Sequence, residues 1–143
     1  MDLVHSHHRR RSLLFLLLPL FFFLSACPGS RAEVITLTEE TFADKVKEKD
    51  TIWFVQFCVP WCKHCKNLGT LWEDLGKTME GQVDCSTSKP VCTKVDIHSY
   101  PTFKIFYDGE EIAKYKGPRQ VEPLKQFVLD EADKAARAKL EAD

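Results

Sequence analysis

The 143-residue sequence predicts an α/β domain, a three-layer sandwich in which helices lie on both faces of a mixed β-sheet. Two observations lead to this fold class. In the first half, apolar segments of strand type alternate with segments of helical spacing, the order that builds parallel crossovers. In the second half, the alternating segment 102–107 is followed by Asp108-Gly109, a hairpin turn signal that predicts two antiparallel strands. The composition, 44% hydrophobic and 29% charged, fits one globular domain.

The first half begins with a short strand, residues 34–37, and with a helix that Thr38 can cap. The nearly continuous apolar run at 51–59 contains β-branched and aromatic residues, so it predicts a strand buried on both faces. After Pro60, apolar residues at spacings of three and four predict a helix that continues to about Met79.

Shorter elements complete the domain. Residues 86–95 predict a loop and a short helix, and the hairpin strands occupy 102–107 and 111–116. A final helix follows, and its last part, residues 132–143, contains one apolar residue other than alanine. We therefore expect a folded domain over residues 34–131 and a frayed, solvated helical tail after it.

The amino terminus has the order of a secretory signal peptide: basic residues, the apolar run Leu13 to Leu24, and then small residues. Twelve residues are too few to cross a bilayer, which needs about 20, so a membrane anchor is disfavoured. We expect cleavage after Cys27, or as late as Ala32, and no membrane span in the mature chain. The mature chain is mildly acidic and has no basic cluster, which argues against a nucleic-acid partner.

Five cysteines remain after cleavage, an odd number, so at least one has no partner within the chain: Cys58, Cys62, Cys65, Cys85 and Cys92. Two of them lie in the stretch VPWCKHCKN at residues 59–67, on the predicted first turn of a helix that follows a buried strand. The partial positive charge of the helix start, together with Lys63 and His64, favours the thiolate that attacks disulfides. Trp61 on one side and the strand end on the other should leave Cys62 exposed and Cys65 shielded.

Two other readings of these cysteines remain open. A structural zinc site would need Cys62, Cys65, Cys85 and Cys92, but the second pair is separated by six residues, whereas two to four are usual. A static disulfide or buried thiols would need no chemistry at all. The buried strand, the helix start, the basic neighbours and the predicted secretion together favour redox chemistry.

Several separated motifs then occur in a specific order: VPWCKHCKN, QVDC, IHSYPTFKIFYDGE and YKGPR. Over residues 34–131 the chain resembles the protein disulfide isomerase family of thioredoxin-fold proteins. It is most similar to the small, single-domain plant members, which carry WCKHC after a cysteine-containing strand. The resemblance implies that Cys62 is the nucleophilic cysteine and Cys65 the resolving one.

The resemblance implies two further roles. Pro101 matches a cis-proline that lies beside the dithiol and helps to hold the substrate chain; without the resemblance, it would only begin a strand. Arg119 matches an arginine that swings toward the resolving cysteine; by itself, it would be a solvated residue before a helix.

The sequence departs from the family pattern at three places. Gln56 replaces a buried glutamate that accepts the proton of the resolving cysteine, and Gln82 replaces the lysine that pairs with it. Only 18 residues separate Cys65 from Asp84, fewer than the family usually has. We therefore expect a truncated or displaced central strand near residues 82–85, or a helix that unwinds early.

Cys58 ends the buried strand and is most simply a small core residue. Cys85 and Cys92 lie at a spacing that would allow a structural disulfide, closing an eight-residue loop.

The sequence thus predicts a thiol–disulfide oxidoreductase or isomerase that acts on cysteines of secretory client proteins. It carries no flavin, nicotinamide or metal motif, so we expect no cofactor and an external thiol oxidant or reductant. The carboxyl terminus is not a KDEL-type signal, so the protein is expected in the endoplasmic reticulum, held by partners, or outside the cell. The alternative is a non-catalytic thiol-binding or chaperone-like module whose shortened sheet no longer supports turnover.

Overall fold

The computed structural model describes residues 34–66 and 78–143. The predicted signal peptide lies outside these residues and stays a prediction. The strands and helices follow in the order β1 Ile35–Thr36, α1 Phe42–Val46, β2 Ile52–Cys58, α2 Lys63–Lys66, β3 Met79–Asp84, α3 Lys89–Lys94, β4 Thr102–Tyr107, β5 Glu110–Lys114 and α4 Val121–Ala142.

The strands form one five-stranded mixed sheet in the order β1-β3-β2-β4-β5. Strands β1, β3 and β2 are parallel to one another, β4 is antiparallel to β2, and β5 is antiparallel to β4. This sheet confirms the predicted fold class. Strand β2 lies in the middle, with every residue from Trp53 to Phe57 buried, which explains its continuous apolar sequence.

Each face of the sheet has its own core. Trp53, Val55 and Phe57 pack with buried residues of α1 and α3 in one cluster, which we call the α1/α3 core. Phe54 packs on the opposite face, where Leu124 and Val128 of α4 join it in the α4 core. The alternation follows from the pleat of a strand, in which successive side chains point to opposite faces.

Strand β3 contradicts the expected truncation, but its start at Met79 agrees with the alternative expectation of a helix that ends early. It contains six residues and pairs with β2 along its whole length, from Met79 opposite Trp53 to Asp84 opposite Cys58. The predicted helix end at Met79 is therefore wrong, because residues 79–81 are extended and belong to the strand. The rest of that predicted helix, residues 67–77, lies outside the described residues.

A glycine allows β3 to approach its neighbours. Gly81 is buried and lies opposite Ile35 of β1 and Val55 of β2. A Cβ atom at this position would lie 2.6 Å from the Cδ1 atom of Leu37, which is itself 1% exposed. The absence of a side chain at residue 81 thus permits the close packing that holds the strand in the sheet.

The carboxyl-terminal helix α4 continues without a break to Ala142, whereas the sequence predicts fraying from Ala132. Two ion pairs support its second half. Lys134 pairs with Glu131 one turn earlier, and Lys139 pairs with Asp50 in the loop before β2. Most residues of this second half are exposed, and the contact with Asp50 connects it to the domain. Among the residues that the structure describes, no helix has both the length and the apolar composition that a membrane crossing requires.

Candidate active site

The candidate site lies at the carboxyl end of β2. The strand ends at Cys58, the chain turns through residues 59–61, and α2 begins directly after Cys62. The backbone N–H of Cys62 donates a hydrogen bond to the carbonyl of Val59, 3.1 Å away, which closes this turn. Trp61 at the tip is 72% exposed, and Cys62 is half-buried beside it.

Three cysteines meet here. The Sγ atoms of Cys58, Cys62 and Cys65 all lie within 4.8 Å of one another. In the structure a disulfide joins Cys58 to Cys65, with 6.3 Å between their Cα atoms, and Cys62 is the free cysteine among the described residues.

The disulfide corrects the interpretation of Cys58 as a small core residue, because Cys58 is half-buried and bonded to Cys65. In the pleat of β2, the side chains of Phe54, Gln56 and Cys58 point to the same face. That face also carries α2, so the last residue of the strand meets the cysteines at the start of the helix. The two-residue alternation from Phe54 to Cys58 was the signal in the sequence that would have predicted this contact.

The amides that replace the family's charged pair lie next to one another on neighbouring strands. Gln56 is 6% exposed and is opposite Gln82 in the register of β2 and β3. Its Nε2 atom lies 3.8 Å from Cys58 Sγ, as a donor to the sulfur. Gln82 is exposed and donates to the hydroxyl of Thr36, 3.0 Å away. A cavity of about 590 Å³ opens beside these amides and the disulfide.

A second loop approaches the same end of the sheet. The Tyr100–Pro101 peptide bond is cis, Pro101 is buried, and Tyr100 is 36% exposed. Because Thr102 pairs with Phe57, antiparallel pairing carries Pro101 to the level of Cys58. The hydroxyl of Thr102 donates to the carbonyl of Ser99, 2.7 Å away, and closes the loop.

The other residues singled out in the sequence lie farther from the sulfurs. Lys63 and His64 are exposed on the first turn of α2. Arg119 is exposed in the turn before α4, and none of its described contacts joins it to Cys65.

Cys85 and Cys92 lie elsewhere. They form a disulfide between the end of β3 and α3, with 5.8 Å between their Cα atoms, and both are buried in the α1/α3 core. The four-cysteine zinc set considered for the sequence is therefore not assembled among the described residues, because Cys85 and Cys92 are bonded to each other and the sulfur that joins those of Cys62 and Cys65 is that of Cys58.

A buried carboxyl group was missed in the sequence. Glu80 in β3 is 2% exposed, and both of its carboxylate oxygens lack a hydrogen-bond partner among the described residues. Burial raises its pKa from 4.5 to about 8. Its place opposite Phe54 puts it on the α4 face of the sheet. Because the sequence predicts a helix that continues to about Met79, it gives no indication that Glu80 lies in a buried strand.

Neighbouring cysteines at the start of a helix, placed at the carboxyl end of the middle strand of this mixed sheet, define a thiol–disulfide oxidoreductase of the thioredoxin fold. Comparisons with known proteins agree. The sequence pattern of the Thioredoxin family matches residues 33–130.

The relatives in sequence are more specific. Protein disulfide isomerase-like 5-1 of Oryza sativa subsp. japonica is 70% identical over 139 residues, covering 92% of this chain and 95% of the relative. Protein disulfide-isomerase 5-1 of Arabidopsis thaliana is 69% identical over 119 residues, covering 78% of this chain and 82% of the relative. The chain belongs to the protein disulfide isomerase family.

Solved structures support the fold. The J-Trx1 fragment of ERdj5 superposes with a TM-score of 0.63 at 31% identity, covering 70% of this chain and 52% of the fragment. A thioredoxin of Malassezia sympodialis also gives a TM-score of 0.63, at 23% identity, covering 71% of this chain and 93% of that protein.

Proposed function

We propose that the protein exchanges disulfides with cysteine-containing client proteins and that Cys62 is the thiol that attacks them. The observation that carries this assignment is the arrangement of the three sulfurs. Cys62 is half-buried, unbonded and next to the exposed Trp61, whereas Cys58 and Cys65 are bonded to each other.

The exchange needs two steps. The Cys62 thiolate attacks one sulfur of a client disulfide, so a mixed disulfide forms and the other client sulfur leaves as a thiolate. In the reduced chain, the Cys65 thiolate then attacks the Cys62 sulfur, and the second client thiolate leaves. The client gains two electrons, the Cys62–Cys65 pair loses them, and an external thiol partner restores the pair. The reverse sequence oxidises a client.

Two exposed aromatic side chains can receive the client chain. Trp61 precedes the attacking cysteine, and Tyr100 lies in the loop that carries Pro101 to the same end of the sheet. Apolar surface of this kind binds an extended segment of varied sequence. We propose that Pro101 borders this segment and that Lys63 and His64 contact its polar groups.

We further propose that the protein works in the secretory pathway, in the endoplasmic reticulum lumen or outside the cell. The order of basic, apolar and small residues at the amino terminus supports this location. The second disulfide, Cys85–Cys92, also suits an oxidising compartment.

A second candidate function is capture without turnover, in a thiol-binding module. Because β3 is complete, a shortened sheet is no longer a reason to expect loss of turnover. The pairing of Cys65 with Cys58 is a different reason, because a chain in this state has no free resolving thiol beside Cys62.

Activity of the mature chain distinguishes the two functions. Insulin reduction and the reactivation of scrambled ribonuclease should both be lost in Cys62→Ser, and Glu110→Gln, at an exposed position of β5, is the control. Mixed disulfides that form through Cys62 without any turnover would favour the capture module. Activity that survives Cys62→Ser would refute the proposed mechanism.

A further inference from the structure

We propose that Cys58 is a third exchange cysteine, which replaces Cys62 as the disulfide partner of Cys65. The oxidised protein then keeps the free thiol of Cys62 for reaction with its clients. The inference rests on the proposed function of Cys62 and extends it.

The geometry allows either partner for Cys65. The three Sγ atoms lie within 4.8 Å of one another, so Cys65 is reached from Cys62 on the helix start and from Cys58 on the strand. The Cα separation of Cys58 and Cys65, 6.3 Å, falls within the range that disulfides span, about 4.4–6.8 Å. One sulfur on α2 can therefore bond to either of two neighbours without a rearrangement of the sheet.

The surroundings give Cys58 and Cys62 different roles. Cys58 and Cys62 are both half-buried, but Cys58 ends strand β2 beside the buried Gln56, whose Nε2 atom approaches its sulfur at 3.8 Å. Cys62 follows Trp61, which is 72% exposed. The exposed Trp61 makes Cys62 the cysteine that clients meet first, and Cys58 acts as a partner within the same chain.

The exchange balances without any other reagent. The Cys58 thiolate attacks the Cys65 sulfur of a Cys62–Cys65 disulfide, the Cys58–Cys65 bond forms, and Cys62 leaves as a thiolate. One S–S bond breaks and one forms, so the chain keeps the same number of oxidising equivalents. The proton lost by Cys58 is available to Cys62 through solvent.

The consequence concerns isomerisation. To rearrange a wrong disulfide, an isomerase must begin with a free thiolate, which a Cys62–Cys65 disulfide does not offer. With Cys58–Cys65 closed, oxidised protein still presents Cys62 and can begin the rearrangement. A client thiol then resolves the mixed disulfide, because Cys65 is occupied.

Disulfide mapping of the oxidised mature chain tests the pairing. Free thiols are alkylated at low pH, and the protein is then digested with trypsin. Cys58 and Cys62 fall in one peptide, Asp50 to Lys63, and Cys65 falls in another, His64 to Lys66. Both pairings give cross-linked peptides of the same mass, so fragment ions must place the alkyl group. Alkylation of Cys62 supports the proposal, and alkylation confined to Cys58 overturns it.

Reactivity gives a second test. The oxidised wild-type chain should react with a maleimide through Cys62, and this reaction should be lost in Cys58→Ala and Cys58→Ser, where Cys62 and Cys65 close on each other. Scrambled ribonuclease supplied without added reductant should likewise be rearranged by the oxidised wild type and not by either variant. Wild-type behaviour in both variants, with cooperative melting retained, would overturn the role of Cys58.

The two proposals fail separately. If Cys62→Ser loses exchange and the Cys58 variants behave like wild type, only the proposed role of Cys58 is refuted. Exchange that persists in Cys62→Ser removes the proposed function itself.

Discussion

The buried carboxyl group of Glu80 should make the stability of the protein fall as pH rises. The group is 2% exposed, has no hydrogen-bond partner among the described residues, and lies opposite the fully buried Phe54. Burial disfavours the charged form, which is why its pKa rises from 4.5 to about 8. The Glu80→Gln variant keeps the size of the side chain and removes the titration.

The sign and size follow from proton binding. Between pH 4.5 and about 8 the folded protein holds a proton that the unfolded chain has released, so the free energy of unfolding decreases with pH in this window. The decrease is about 1.4 kcal/mol per pH unit and about 5 kcal/mol over the whole window. Above about pH 8, the stabilisation that the protonated carboxyl group provides is fully lost. A domain of this size is stabilised by about 5–15 kcal/mol in total, so the effect is large.

Denaturant unfolding at pH 5, 6, 7 and 8 measures this dependence, with oxidised chains whose free thiol has been alkylated beforehand. Glu80→Gln should remove most of the decrease and be more stable than wild type at pH 8. Glu110→Gln, at an exposed position of β5, should keep the wild-type dependence. If the free energy of unfolding changed with pH in the same way for wild type and Glu80→Gln, the reasoning would be refuted.

Three further predictions concern packing, the second disulfide and client binding. Gly81→Ala should destabilise the domain by about 1–3 kcal/mol, because the new Cβ would lie 2.6 Å from Leu37 Cδ1; an unchanged melting temperature would contradict this. Replacing Cys85 and Cys92 by alanine should lower the free energy of unfolding, measured with denaturant, by about 2.5 kcal/mol, because the disulfide closes a loop between cysteines at a sequence separation of 7. A change near zero would show that the loop is already ordered in the unfolded chain. Trp61→Ala should raise KM for protein clients without changing stability or the rate with a small disulfide, since the ring is 72% exposed; an equal loss with both substrates would place Trp61 in the chemistry instead.

Much of the fold could be predicted because local signals agreed with the final packing. The apolar run of β2 predicts burial on both faces, and the structure buries every residue from Trp53 to Phe57. Asp108-Gly109 predicts the hairpin, and both residues adopt positive φ angles, 49° and 86°.

The failures occurred where distant contacts decide the outcome. Residues 79–81 follow a stretch of helical spacing, but β1 and β2 on either side draw them into a strand. The burial of Glu80 follows from that pairing, so no local pattern could show it. Cys58 was treated as core because only its burial was weighed, whereas the pleat turns its sulfur toward α2.

Trapping of a client by single cysteines tests the central claim, that Cys62 is the attacking thiol. In the mature chain, Cys58→Ala/Cys65→Ser leaves only Cys62 of the three neighbouring cysteines, and Cys58→Ala/Cys62→Ser leaves only Cys65. Each variant is mixed with a protein that contains an accessible disulfide, and mixed disulfides are counted on non-reducing gels after rapid alkylation. The account predicts rapid adduct formation by the chain that retains Cys62 and little by the chain that retains Cys65. Equal rates, or faster adduct formation through Cys65, would contradict it.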